Sequence, residues 1–177
     1  MYRVKDVMTD EVETCGVQDS LEAAVRLMSD RGCGCVPVID EGERVLGLLT
    51  DRDAVMCALR LGKSLSQIQV GEACSRGVIT CEADDTLGRA ELLMRVNRVR
   101  RLPVLGRDRT LVGVISLTDL ARYVEVSTVY GLSGLSPIHI ALILAETSGT
   151  QRLIPAGAPR GSHETGPHPI VESFFHG

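Results

Sequence analysis

The sequence predicts a mixed α/β (α+β) fold built from two tandem βαββα units, and three observations carry that expectation. The chain overlays itself without a gap when shifted by 66 residues. Apolar runs and helically spaced residues recur in the same order in both copies. Helix-opening residues recur at matching places. Under the shift, Val4 falls on Val70, Val12 on Val78, Thr14-Cys15 on Thr80-Cys81 and Asp19 on Asp85. Leu21, Ala24, Leu27 and Met28 fall on Leu87, Ala90, Leu93 and Met94; Pro37-Val38 falls on Pro103-Val104, Gly47 on Gly113 and Asp53 on Asp119. One fixed register held over about fifty residues marks a repeat.

Each copy reads alike. A short apolar stretch at 12–15 or 78–81 suits a strand, and Asp19-Ser20 and Asp85-Thr86 are N-cap candidates for the helix that follows. Leu21, Ala24, Val25 and Met28, or Leu87, Ala90, Leu93 and Met94, then mark the buried face of that helix. Two apolar runs come next, 36–39 with 45–49 and 102–105 with 111–115, joined by polar stretches at 40–43 and 106–109 that read as hairpin turns. A second helix opens after Thr50 and after Ser116. The expected organisation is unit 1 at 4–60, a polar linker at 61–69, unit 2 at 70–126 and a tail at 127–177. Gly62-Lys63-Ser64 is no phosphate loop, because Cys57 stands where its first glycine belongs and a helix precedes it.

Composition narrows the function. A net charge of −4 gives no general attraction to nucleic acid or an anionic membrane. Aromatics are 3%, and none lies between Arg3 and Arg122, so no platform for stacking bases can be assembled from the repeats. The first ten residues carry Arg3, Lys5, Asp6 and Asp10, unlike a signal peptide, and the apolar run 138–145 is too short to span a bilayer. The expectation is a cytoplasmic protein whose six cysteines are reduced thiols.

The tail holds all four histidines and most of the prolines. It has room for one short helix at 138–146, reads as disordered beyond that, and is expected to be dispensable for binding. His139, His163, His168 and His176 lack the close spacing of metal ligands, so no metal site is expected. No histidine precedes His139, which removes Ser/His and Cys/His pairs from the repeats, and no catalytic residue is assigned.

The informative element is Gly47-Leu48-Leu49-Thr50-Asp51-Arg52-Asp53 and its echo Gly113-Val114-Ile115-Ser116-Leu117-Thr118-Asp119. A strand ends, a hydroxyl residue opens a helix, and an Asp follows three positions later. One reading is a capping box, with the hydroxyl on a backbone N–H and the acid reaching back. The other is ligand binding: a helix N-terminus offers free N–H groups, and a carboxylate there can accept both hydroxyls of a ribose. The two are compatible. Cys33-Gly34-Cys35 likewise reads either as small residues entering a buried strand or as a redox or metal pair.

These motifs resemble the tandem cystathionine-β-synthase (CBS) domain pair, or Bateman module. The likeness lies in Val7-Met8-Thr9, in Arg100-Arg101-Leu102-Pro103-Val104 and in the two Gly-x-x-x-(Thr/Ser) segments that end in Asp. It covers roughly residues 4–123, and the spacing resembles the small stand-alone bacterial members. The resemblance implies two CBS motifs packed about a pseudo-twofold axis, two clefts, and a regulatory rather than enzymatic role. It also implies an adenine ligand such as AMP, ADP, ATP or S-adenosylmethionine, with no required cofactor, and a homodimer shaped as a flat disc. Carried over, Thr50, Arg52 and Asp53 would serve one cleft and Ser116, Thr118 and Asp119 the other. The adenine walls would come from the opposite repeat, around Thr9, Val12 and Val36 and around Ser75, Val78 and Leu102. Arg101, two residues before Pro103, would meet a phosphate, with Arg100 beside it; unit 1 has Gly34-Cys35 at those positions, which implies unequal clefts. The alternatives are a ligand-free dimerisation or interaction module with an effector protein as its partner, and a thiol-based redox or metal sensor using Cys33 and Cys35.

Overall fold

The computed structural model describes residues 2–129 and 135–147. Unit 1 contains β1 (Cys15–Gly16), α1 (Leu21–Arg31), β2 (Cys35–Ile39), β3 (Val45–Thr50) and α2 (Asp51–Leu61). A one-turn helix α3 (Val70–Ala73) and β4 (Ser75–Arg76) open unit 2, which continues with β5 (Cys81–Glu82), α4 (Leu87–Asn97), β6 (Arg101–Leu105), β7 (Leu111–Ser116) and α5 (Leu117–Val129). A further helix, α6 (Pro137–Thr147), follows.

Local sequence explains most of these elements. Ser20 and Thr86 are the N-caps of α1 and α4, each accepting from the N–H three residues on at 3.2 Å. Their neighbours Asp19 and Asp85 turn back instead, accepting from the N–H groups of Gly16 (2.7 Å) and Glu82 (2.9 Å) and tightening the strand-to-helix turn. The apolar stripes of α1 and α4 bury Leu21, Ala24 and Met28, and Leu87, Ala90 and Met94. The expected strands at 12–15 and 78–81 shrink to two residues each, Cys15–Gly16 and Cys81–Glu82. Each pairs in parallel with only the end of the neighbouring strand, Cys15 with Val38 and Cys81 with Val104.

The sheets are wired across the repeat boundary. The first runs β1-β2-β3-β4, with β4 antiparallel to β3 through Leu48 and Ser75. The second runs β5-β6-β7, and Thr9 forms the matching antiparallel bridge to Val114. The opening segment of each repeat thus adds to the other repeat's sheet. Helical turns follow the same exchange: Val4, from the turn Val4–Asp6, is fully buried in the core of unit 2, and Val70 of α3 is fully buried in the core of unit 1. Equivalent bonds hold them, from Val4 N–H to the Asp85 carbonyl at 3.0 Å and from Val70 N–H to the Asp19 carbonyl at 2.8 Å. The two repeats therefore interlock, each lending its opening segment to the other's sheet and core. Close approach at the crossings explains two matched glycines: a Cβ on Gly47 would stand 2.6 Å from the Ser75 carbonyl oxygen, and one on Gly113 would stand 2.6 Å from that of Thr9.

The 61–69 linker makes a 3-10 turn at Leu65–Gln67 and buries Ile68 in the first core. The start of the tail joins the second core, which its sequence did not lead one to expect. Helix α6 packs on α4 and α5, and Ile143 is fully buried in the second core with Ile140 and Leu135 against it. Propensity alone could not show this, because an apolar octapeptide reads alike as a core helix or an isolated one. The expected disorder further along the tail concerns residues 148–177, outside the described residues. Among the described residues, no helix is long and apolar enough to cross a membrane.

Candidate functional site

A cavity of about 620 Å³ lies between the two units. Unit 1 contributes Thr9, Glu11, Val12 and Glu13 from its opening segment and Arg31–Cys35 from the turn between α1 and β2. Unit 2 contributes Arg101 at the start of β6, Val114 and Ser116 on β7, and Thr118, Asp119 and Arg122 on the first turns of α5. Arg101 and Ser116 face one another in the β6–β7 ladder, so the strand pairing itself sets the guanidinium beside the helix opening. The volume falls within the roughly 300–1,000 Å³ of small-molecule sites.

At that helix opening, Asp119 divides its two oxygens. Oδ2 accepts from the Ser116 hydroxyl at 2.6 Å and from the Ser116 N–H at 2.8 Å, while the Asp119 N–H donates to Ser116 Oγ at 3.2 Å. This is a complete capping box. Oδ1 has Arg122 at 3.9 Å. Thr50 and Asp53 repeat the arrangement at the start of α2, with 2.7 Å for the hydroxyl, 3.1 Å for the Thr50 N–H and 3.1 Å for the reciprocal bond. Each Asp is half-buried, so its cap geometry is fixed without closing off the second oxygen.

Arg101 reaches across to unit 1. A Cβ on Gly34 would stand 3.3 Å from its Nη2 and 3.5 Å from Asp51 Oδ2, so Gly34 leaves room for the guanidinium. Cys35 sits beside it: burial pushes the thiol up, and the Arg101 charge pulls it back down. Arg31 forms an ion pair with Glu13 at the same cavity. The cavity therefore alternates positive and negative groups along apolar walls made by Val12 and Val114.

The sequence-derived candidates divide. Thr9, Val12, Arg101, Ser116, Thr118 and Asp119 come together at this cavity. Val36 and Leu102 do not line it; both are fully buried in the cores, because alternation along β2 and β6 turns them inward, and Gly34 and Cys35 stand at the rim where Val36 was expected. Arg100 points elsewhere. Its Nε donates to Thr147 Oγ1 at 2.9 Å and its Nη2 to the Thr147 carbonyl at 3.1 Å, at the C-terminal end of α6, where a cation meets unpaired carbonyls. Ser75 and Val78 lie on the opposite entry segment, and Arg52 is exposed on α2. A second cavity of about 480 Å³, lined in part by Asp84, Arg89 and Arg107, includes none of the sequence-derived candidates. Sequence reasoning missed Glu13, Arg31 and Arg122; no repeat signal marks them, since Asn97 and Met56 occupy the positions equivalent to the two arginines.

The remaining thiols separate by burial. Cys15 and Cys81, at equivalent positions, are pushed up to about 12, chiefly by burial. Cys33 is exposed. Among the described residues, no group of three or more His, Cys, Asp or Glu side chains could hold a metal ion.

Two interleaved βαββα units with a polar cleft at their strand-to-helix junctions define a tandem-repeat binding module. Comparison identifies it: a family model described as "CBS domain" matches residues 4–59 and 70–126, and the chain belongs to this family. It is 34% identical over 122 residues to the uncharacterized protein YlbB of Bacillus subtilis, covering 68% of this chain and 81% of that protein. It is 30% identical over 123 residues to hypoxic response protein 1 of Mycobacterium tuberculosis, covering 70% and 85%. The crystal structure of that protein with two coordinated zinc ions aligns with a TM-score of 0.63 at 29% identity, covering 69% of this chain and 98% of that one. The structure of CBSX2 in complex with AMP aligns with a TM-score of 0.64 at 24% identity, covering 72% and 99%, a likeness of fold.

Proposed function

We propose that this chain is a non-catalytic regulatory module that binds an adenine nucleotide, of the AMP, ADP, ATP or S-adenosylmethionine class, in the cleft built on Ser116 and Asp119. The observation that carries the reading is the divided role of Asp119. One oxygen is committed to the cap of α5, and the other lies at a cavity where it can accept the two hydroxyls of a ribose. Around it stand the other groups such a ligand needs. Val12 and Val114 offer apolar surface to a base, and Arg101 offers a guanidinium to a phosphate. That a protein of the same fold has been crystallised with AMP supports the assignment.

Regulation requires that the ligand favour one state of the protein, and a ligand held by both units stabilises their mutual arrangement. Thermal unfolding of the full chain with AMP, ADP, ATP, S-adenosylmethionine, adenosine and NADH tests the reading. A ligand at about a hundred times its Kd adds about 2.7 kcal/mol to the folded state, which raises the melting temperature by several degrees. Adenine compounds should do so; if none of them shifts the transition, the reading fails.

A further inference from the structure

We propose that Cys33 and Cys35 are a redox-active dithiol at the mouth of the cleft, and that closing them to a disulfide takes Arg101 away from a bound phosphate. The dithiol stands on its own geometry, and its effect on binding rests on the nucleotide reading. Both cysteines line the cavity of about 620 Å³. Cys33 is exposed, the one such cysteine among the described residues, and Cys35 is buried in the cavity wall at 9% exposure. An open thiol that meets an oxidant and a sheltered one that resolves it are the two parts of a redox pair.

The chain bends at Gly34, between them. Alternate residues of a straight strand stand about 6.6–6.8 Å apart, at the limit of the roughly 4.4–6.8 Å between Cα atoms that a disulfide spans, and a bend shortens that separation. The repeat does not supply the pair. Val99, Arg100 and Arg101 occupy the positions equivalent to Cys33, Gly34 and Cys35, so Cys35 stands beside its own counterpart.

Gly34 couples the pair to the ligand side. A Cβ there would stand 3.3 Å from Arg101 Nη2 and 3.5 Å from Asp51 Oδ2, so the guanidinium rests on this turn. The turn is held at both ends. Cys33 N–H donates to the Met28 carbonyl at 2.9 Å, and the Gly34 carbonyl accepts from the Asp51 N–H at 3.3 Å. Drawing Cys33 and Cys35 together moves Gly34, which displaces the guanidinium.

Two thiols are half of a tetrahedral zinc site, and no third ligand stands with them among the described residues. What the pair can do by itself is thiol–disulfide exchange with a low-molecular-weight disulfide. The Cys33 thiolate attacks one sulfur of that disulfide and expels the first thiolate. The Cys35 thiolate then attacks the Cys33 sulfur and expels the second. The two cysteine protons end on the two thiols released, and the two electrons given up by the cysteines reduce one disulfide.

The test is the full chain, reduced and then treated with oxidised glutathione, read by mass spectrometry of the tryptic peptide 32–44, which holds both cysteines. The peptide should become lighter by two hydrogen atoms, and in Cys35→Ser the reaction should stop at a glutathione adduct on Cys33. Titration with AMP and adenosine follows. The oxidised chain should bind AMP severalfold more weakly than the reduced chain and adenosine nearly as well, and a reductant should restore the AMP affinity. In Cys33→Ser the oxidant should leave AMP binding where it was. A wild-type chain that keeps both thiols free, or keeps glutathione on Cys33, overturns the proposal. So does a disulfide form that binds AMP as the reduced chain does. A reduced chain that binds no adenine compound ends the nucleotide reading, and the effect on binding with it, while the peptide mass still decides the dithiol.

Discussion

Ser116 and Asp119 are joined three times: hydroxyl to Oδ2 at 2.6 Å, Ser116 N–H to the same oxygen at 2.8 Å, and Asp119 N–H back to Ser116 Oγ at 3.2 Å. The carboxylate thus holds the entry of α5 with one oxygen, while the other stands 3.9 Å from Arg122. In the proposed nucleotide site this residue would serve both stability and binding, and two substitutions separate them. Asp119→Asn keeps an oxygen acceptor for Ser116 but removes the charge. Its melting temperature should stay close to wild type while nucleotide affinity falls roughly tenfold to a hundredfold, the value of a hydrogen bond to a charged group. Asp119→Ala should lose the same affinity and, in addition, about 1 kcal/mol of stability from the cap. Calorimetric titration beside urea unfolding checks both; equal affinity in Asp119→Asn and wild type would confine this residue to capping.

Arg101 should determine phosphate preference. Adenosine and AMP present the same ribose to Asp119, so discrimination between them falls to the cation in the cleft. Arg101→Ala is expected to weaken AMP binding severalfold or more and leave adenosine nearly unchanged. Raising the salt concentration should shrink the difference by screening. Competition titrations at two ionic strengths measure it, and equal losses for both ligands would remove Arg101 from phosphate recognition.

Because Ile143 is fully buried in the second core, Ile143→Ala should cost about 2–5 kcal/mol, read as a lower urea midpoint. A chain ending near Ser127 should be destabilised by at least as much, since it also loses the bonds from Arg100 to Thr147. Wild-type stability in the shortened chain would show that α6 adds nothing to the core.

Alkaline pH should destabilise the protein through its buried thiols. Cys15 and Cys81 are raised to about 12 in the folded state, against roughly 8.5 for a free thiol. A raised value means that the folded protein holds its proton longer than the unfolded chain. Their contribution is therefore intact below about pH 8.5 and is lost as pH climbs towards 12. Urea midpoints should fall between about pH 8 and pH 10.5, and replacing both residues by alanine should flatten that slope. In the native state near neutral pH, a thiol reagent should meet exposed Cys33 first.

Arg98 ends α4 in the left-handed region at φ 55°, where Gly32 ends α1 at φ 61°. A side chain is strained there, so Arg98→Gly should stabilise the protein by about 1 kcal/mol and Gly32→Ala should destabilise it similarly. Chemical denaturation of the two variants checks the pair.

Much of this molecule is written locally. Ser20 and Thr86 mark helix starts because a hydroxyl satisfies an N–H three residues on, whatever surrounds it. The alternation along β2 and β6, the glycines at 47 and 113 and the hydroxyl–Asp pairs at 50–53 and 116–119 are likewise short-range patterns, legible from residue order and confirmed by the 66-residue register. Periodicity and capping are properties of a few consecutive residues, so the sequence by itself determined the repeated βαββα order and the capped helix openings.

Tertiary structure decided the rest. That Val4 and Thr9 pack onto the core and sheet of unit 2 while Val70 and Ser75 pack onto those of unit 1 depends on pairings between segments far apart in the chain, which no local pattern encodes. Arg100 and Arg101 are consecutive and chemically identical, yet one grips Thr147 and the other lines the cleft, because a strand sends neighbouring side chains to opposite faces and only packing defines what each face meets. Glu13, Arg31 and Arg122 reach the cleft from three separate elements. For α6, seven apolar residues in the run 138–145, interrupted by His139, were compatible with an isolated helix or a core helix. The space between α4 and α5 made Ile143 a core residue, since burying its side chain there removes more apolar surface from water than any arrangement the segment could reach alone.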